Sequence, residues 1–380
     1  MSETKAISIR QCFAEVPDPR REHMRLHNLW DIIAITILGV VSGADSWVEV
    51  AKYGVCKFDF LKTFLELPHG IPSHDTFGRV FALLKPSALQ EGFIKWVQGL
   101  AEATLGRLVA IDGKTARRSF DKGADKGPLH MVSAWASENR LLLGQQACDS
   151  KSNEITAIPE LIKNLEFSGS IVTIDAMGCQ KDIAATIHEA GADYVLAVKD
   201  NQPTLHEDIR QVFSAGFDND FADLEHHSHC TTEKGHGRIE TRIYHIVGVP
   251  EAMAERHSDW KGLQSIGLVY SERQEGNKEP SDETRVFITS LPPQVKKFAR
   301  AVRNHWGIET SLHWVLDMSF REDESRLHKG HGQENMALIR RLSASLLHNE
   351  PTCKTGVACK RKCAGWDDDY LLKVLAASLK

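Results

Sequence analysis

The pattern that most constrains this chain begins at Arg107, where long amphipathic stretches give way to short apolar runs bounded by glycine and polar residues. RLVAIDG (107–113), LHMVSAWAS (129–137) and RLLLGQQAC (140–148) have the length and content of strands, the last two joined at Glu138–Asn139 as a hairpin. NEITAIPELIKNLE (153–166) predicts a helix, and SIVTIDAMG (170–178) a buried strand. KDIAATIHEAG (181–191) predicts a helix stopped by Gly191, and ADYVLAVKDNQ (192–202) a fifth strand. The order β-β-β-α-β-α-β, a meander followed by alternation, specifies an α/β fold with a mixed sheet. Asp112 and Asp175 sit near the ends of the first and fourth strands. Open α/β sheets gather their sites at strand ends, although either aspartate taken alone is better explained as a turn residue.

The flanking sequence has other periods. Residues 1–100 read as helical: a basic entry (DPRREHMRLHNL), a buried helix (LWDIIAITILGVVSG), a second amphipathic stretch (SWVEVAKYGVCKFDFLKTFLEL), then GIPSHDTFGRVFALLKP. The last starts at an N-cap, Ser73 or Asp75, and stops at Lys85–Pro86. A short helix, a Gly/Pro turn and a capped helix fit either a DNA-binding helix-turn-helix or a plain helical packing domain. Residues 203–295 open with a helix (Pro203 to Phe213) and then turn β-rich. Arg238, Glu240 and Arg242 alternate with Ile239, Thr241 and Ile243, and LQSIGLVYSERQ and ETRVFITSL follow as strands. Ala299 to Arg326 predicts one long amphipathic helix and a charged turn, with Val302, Trp306, Ile308, Leu312, Val315 and Leu316 toward the core. His305, Glu309 and His313 are spaced to share one side of it. The remainder, from about Glu334, reads as helical with a Cys/Lys-rich loop at 351–363. The expected division is a helical domain (1–100), a catalytic domain (101–202 and 296–350), a β-rich insertion (203–295) and a helical tail (351–380).

A chain of 380 residues buries a large core and is expected to hold more than one domain. The N-terminus is polar, the apolar run Ile32 to Val41 is too short to span a bilayer, and the eight cysteines are scattered. These features predict a cytoplasmic protein with reduced thiols and no membrane partner. The formal net charge of −5 does not announce a nucleic-acid binder, yet the charge is uneven. Lys296, Lys297, Arg300 and Arg303 lie together without an acid, Lys114, Arg117 and Arg118 follow Asp112, and Lys354, Lys360, Arg361 and Lys362 gather near the end. A basic groove on an acidic protein suits phosphate, and any one run also reads as a solvated face. Two Cys/His groups, one around His226 to His236 and one at Cys353, Cys359 and Cys363, lack standard zinc-finger spacing. Trp306 and Trp314 are expected in the core.

Carboxylates converging at strand ends suit hard, oxygen-preferring ions such as Mg²⁺ or Mn²⁺. Such ions activate a water or a 3′-hydroxyl for phosphodiester displacement without a covalent protein nucleophile. Asp112, Asp175 and Glu309 lie far apart in sequence, so their convergence is a tertiary expectation.

The sequence resembles the DDE transposases of bacterial insertion sequences, most closely the H-repeat-associated group, over nearly its whole length. The resemblance is carried by GIPSHDTFGRVF, VAIDGKTARRS, IVTIDAMGCQKDIA, DYVLAVKDNQ, KGHGRIETR and HWGIETSLHWVLDMSFRED. It implies an RNase-H-like mixed sheet flanked by helices, with a β-rich insertion before the helix bearing the last acid. It further implies that Asp112, Asp175 and Glu309 are the catalytic, metal-binding triad for Mg²⁺ or Mn²⁺. The implied partner is double-stranded DNA, as terminal inverted repeats and as target, bound by a homodimer. Lys114, Arg117, Lys199, Asn201, Lys234, His236, Arg238, Arg303, His305 and His313 are the expected DNA contacts. Related transposases carry Y-x2-R-x3-E-x6-K around the glutamate, and here those positions hold Val302, His305 and Leu316. The alternatives are a metal-dependent nuclease without strand transfer and a degenerate or repurposed transposase that only binds DNA. A two-carboxylate glycosidase fits less well, because the surrounding Lys, Arg and His suit phosphate better than sugar.

Overall fold

The structure, a computed structural model, describes residues 9–101, 108–120, 127–148, 154–235, 237–276 and 278–376. In chain order it runs α1 (Ile9–Phe13), α2 (Leu29–Val41), α3 (Trp47–Cys56), α4 (Phe58–Leu61), α5 (His74–Leu83) and α6 (Pro86–Ala101). Then come β1 (Leu108–Ala116), β2 (Leu129–Ala136), β3 (Leu141–Ala147), α7 (Glu154–Lys163), β4 (Ile171–Ile174), α8 (Lys181–Glu189) and β5 (Asp193–Val198). These are followed by α9 (Pro203–Asp218), β6 (His226–Gly235), β7 (Arg238–Gly248), α10 (Glu251–Arg256), β8 (Ser265–Glu275) and β9 (Ser281–Thr289). The chain ends with α11 (Val295–His305), a π-helical turn (Glu309–His313), α12 (Trp314–Phe320), α13 (Gly332–Asn349), α14 (Val357–Trp366) and α15 (Asp368–Ala376).

The sheet is mixed and mostly antiparallel, in the order β3-β2-β1-β4-β5-β9-β8-β7-β6. β1, β4 and β5 are parallel neighbours, because helical segments carry the chain back between them. Of the three-strand meander expected over 107–148, β2 lies next to β1 and pairs antiparallel with β3, and Arg140 adopts φ 49° at the β2–β3 turn.

The chain divides into two compact units. One comprises Leu105–Asp112 and Ser152–Ile308. Here the 203–295 stretch is β-rich as expected, and its strands extend the sheet: β9 pairs antiparallel with β5, and β8, β7 and β6 follow as antiparallel neighbours, with α10 between β7 and β8 in the chain. The reading had one strand where β6 and β7 form a two-strand hairpin. The reason is that HHSHCTTEKG carries no apolar alternation. It is an edge strand, exposed along most of its length, and holds its shape through its ladder to β7. α11 lays Phe298, Ala301 and Val302 on Leu108, Val195, Tyr244, Val269 and Phe287 of the sheet, which forms this unit's core.

The other unit comprises Met1–Thr104, Gly113–Lys151 and Glu309–Lys380. The regular elements among its described residues up to 101 are all helices, joined by turns and loops. α2 is buried from Asp31 to Val41, and no helix among the described residues is long and apolar enough to cross a membrane. Ser73 caps α5, accepting from the Thr76 amide at 3.3 Å, and Trp47 of α3 stacks on Phe81 at 4.9 Å. α13 is buried along almost its whole length, including two arginines. Arg341 bonds Glu322 at 2.7 Å and Ser133 Oγ at 3.2 Å, with the two ion-pair side chains 1% and 2% exposed. The loop expected at 351–363 is helical from Val357, because Lys360 and Arg361 point inward and bond main-chain carbonyls.

Removing one partner of a buried pair strands the other charge without solvent. Glu322→Ala should therefore cost about 3–5 kcal/mol, read as a large drop in the midpoint of thermal unfolding. The double variant Glu322→Ala with Arg341→Met should recover much of that loss.

Candidate metal centre

Parallel pairing of β1 with β4 places Ile111 opposite Ile174. A carboxylate follows each: Asp112, inside β1 rather than at its end as expected because the strand runs on to Ala116, and Asp175, the first residue past β4. The register carries both to the same level. Both are half-buried. β4 ends at Ile174, and the chain turns at once. Asp175 Oδ1 shapes that turn by accepting from the amides of Met177 (3.1 Å) and Gly178 (3.3 Å). Gly178 is required there, since a Cβ would lie 2.3 Å from Ile174 Cγ2. Burial raises the Asp175 carboxyl above the usual carboxylate range, opposed by those amides and by the charge of Lys199.

The residues after β5 hold the same turn. Asn201 Nδ2 donates to the Ala176 carbonyl at 2.7 Å and Gln202 Nε2 to the Cys179 carbonyl at 3.0 Å, while Lys199 is exposed. Asn201, expected as a DNA contact, is thus a brace for the loop of Asp175. His305 closes α11, with Nδ1 3.0 Å from Thr173 Oγ1 two residues before Asp175. Arg303 forms a two-point ion pair with Glu233 of β6 (3.0 and 2.8 Å), which ties the helix to the sheet. Lys234 and Arg238 are exposed at the tip of the β6–β7 hairpin; His236 lies outside the described residues. Trp306 and Trp314, expected in the core, are 45% and 60% exposed, and the Arg285 guanidinium sits 4.9 Å from the Trp306 ring. Val302 and Leu316 are buried apolar residues, so two of the three helper positions flanking the glutamate serve packing here.

The long helix expected over 299–326 is broken into α11, the π turn and α12. Glu309 opens the π turn and its side chain is 50% exposed. His313 closes it, buried, with Nδ1 3.5 Å from Glu309 Oε2. A π turn widens the helix by one residue and recurs at functional sites. His348 of α13 steadies it, with Nε2 2.7 Å from the Ser311 carbonyl. Burial lowers the His348 imidazole to about 4, so it is neutral at pH 7 and donates that bond. Sequence spacing gave no sign of His348; the only cue was a histidine among apolar neighbours. Lys114 on β1 is 9% exposed and pairs with Asp317 at 2.7 Å and Asp323 at 3.7 Å. It therefore works inside the fold, whereas Arg117 is 83% exposed beside Asp323.

The transposase DDE domain family matches residues 103–347, and a domain described as DDE_Tnp_1-associated matches residues 10–97. The chain belongs to the DDE-domain transposases, and its fold is a mixed sheet flanked by helices. Within that class it sits with the H-repeat-associated group. It is 39% identical over 366 residues to "H repeat-associated putative transposase YhhI" of Escherichia coli (strain K12), covering 96% of each chain. It is 41% identical over 372 residues to "Putative transposase YncI" of Escherichia coli O157:H7, covering 97% of this chain and 95% of that one.

Two outcomes follow from this geometry. The raised carboxyl of Asp175 means the fold penalises its charge: the penalty is full above the folded pKa and absent below the unfolded one. Asp175→Asn keeps an oxygen for the Met177 and Gly178 amides and removes the charge, so its melting temperature at pH 7 should equal or exceed that of the parent. His348 has the opposite sign: its stabilising contribution is present above pH 6.5 and is lost as pH falls toward about 4, because the unfolded chain takes the proton first. His348→Gln should flatten the fall of melting temperature across that window.

Proposed function

We propose that this protein binds the ends of an insertion sequence and, with Asp112, Asp175 and Glu309 holding Mg²⁺ or Mn²⁺, cleaves DNA and transfers the strand to a target. The observation that carries the reading is the shared level of Asp112 and Asp175 on parallel strands. The donor set fits a hard divalent ion: three carboxylates, two of them half-buried. Oδ1 of Asp175 is engaged by amides, which leaves Oδ2 to face a cation. Burial that penalises the bare charge favours a bound cation at that place. When bound, the ion lowers the pKa of the attacking water or 3′-hydroxyl and stabilises the leaving oxygen.

The chain's own residues supply position and charge. Asn201 and the Gly178 turn fix Asp175, and His313 holds Glu309 from the buried side of its turn. Lys199, Lys234, Arg238 and Arg117 are exposed cations available to phosphate, so binding should weaken steeply with salt. Two ends must be held together for transfer, which assigns the working form to a homodimer on DNA.

Asp112→Asn, Asp175→Asn and Glu309→Gln should each lower cleavage of DNA carrying the element's ends on the order of a thousandfold, while gel-shift binding persists. Unchanged cleavage by Asp175→Asn would sink the triad. A hydrolysed product without a joined strand would reassign the protein as a nuclease, and binding without any cleavage by the parent would leave a DNA-binding protein.

A further inference from the structure

The stretch GIPSHDTFGRVF does more than form a capped helix. α5 lines one side of a cavity of about 400 Å³, with α3 and the loop entering α13 on the others. Trp47, Val48 and Leu327 supply apolar wall, and Val48 is 60% exposed there. Arg79, Arg326 and Lys329 supply positive charge, and the single carboxylate, Asp75, lies 3.7 Å from His74 Nε2. Arg79 Nε donates to the Asp75 main-chain carbonyl at 3.2 Å. Among the described residues, no carboxylate pairs with Arg79, Arg326 or Lys329. His328 also lines the cavity, and its buried Nδ1 has no hydrogen-bond partner among the described residues.

The cavity is built into the fold. Gly330 has φ +51°, and a Cβ on it would lie 2.3 Å from the Ala82 carbonyl oxygen, so only glycine lets the loop lie on α5. The His331 amide bonds that same carbonyl at 3.1 Å, and Asn335 Nδ2 bonds the Phe81 and Leu84 carbonyls at 2.8 Å each. Gly78 leaves the space beside Trp47, whose Cδ1 would be 3.3 Å from an added Cβ. A preformed site loses little order on binding.

We propose that this cavity takes one unpaired nucleotide of a bound DNA strand, a reading that rests on DNA being the partner. An aromatic ring and apolar walls receive the base. The cations at the mouth receive its phosphates. Bases in a closed duplex are stacked and unavailable, so the nucleotide comes from a strand end or is extruded.

The test uses the full chain in EDTA, where metal-dependent cleavage is silent. Fluorescence anisotropy compares a single-stranded decathymidylate, an abasic strand of equal length and a blunt duplex. The thymidylate should bind at least about tenfold tighter than the abasic strand. The exposed charge reversals Arg79→Glu and Arg326→Glu, combined, should erase that preference at unchanged melting temperature. Equal binding of the two single strands, or a preference that survives the reversals, would overturn the proposal. Thymidine 5′-monophosphate binding as tightly as the decamer would overturn the strand as the source of the nucleotide. A parent protein that binds no DNA probe at all would overturn the DNA reading itself, which is separable from duplex binding without a base preference.

Discussion

Everything at the candidate centre depends on the register of β1 against β4. Parallel strands with a period of two allow no partial error: a slip by one residue turns every side chain to the other face. Val109 opposite Val172 and Ile111 opposite Ile174 fix the register through residues buried to 3% or less. The acids that follow inherit their positions from that packing. A polar residue inside this apolar pair, Thr173, would be costly unpaired; its hydroxyl reaches His305 and the Val109 carbonyl. The same bond docks the end of α11. Apolar register and one buried hydroxyl together place Asp112, Asp175 and the helix that leads toward Glu309.

The helical unit solves a different problem. α2 is apolar nearly all round and ends deep inside, where its last carbonyls lack helical partners. Arg361 donates to the Val40 and Ala44 carbonyls, pairs with Asp45 at 2.9 Å, and lies 4.1 Å from the Phe320 ring. Arg340 adds a bond to the Asp45 carbonyl at 3.1 Å. Such guanidinium groups cost desolvation and return it only through complete hydrogen bonding. They select one arrangement of α2, α12, α13 and α14, because any other leaves the charges bare.

The sequence made the strand order, the place of Asp175 after β4 and the start of α5 at Ser73 or Asp75 legible, because apolar period and turn chemistry are local signals; it ended β1 too early, at Asp112. It hid what depends on distant partners. β6 has no alternation of its own and is a strand only because β7 pairs with it. Arg303 looked like one more free cation in a basic run, until Glu233 from the far hairpin met it. Asn201 followed a strand like any turn residue, and only the fold shows it holding the loop of Asp175. The π turn is invisible to periodicity, since one extra residue leaves the apolar spacing of Ile308, Leu312 and Val315 intact.

The acids differ in how they are held, and the difference has a physical sense. Asp175 is fixed by two amides at a strand end with little freedom left. Glu309 stands half-exposed on an irregular turn, with the His313 imidazole at 3.5 Å. A strand-end carboxylate is placed by the sheet and moves only if the sheet does. A glutamate on a π turn can shift by a rotamer or a small helical readjustment at low cost. Hard divalent ions demand near-fixed ligand geometry yet must admit and release a polymeric substrate. In the proposed triad, a donor fixed at the end of β4 and an adjustable one would meet both demands. The His348 bond to Ser311 then matters because it limits how far the turn can move.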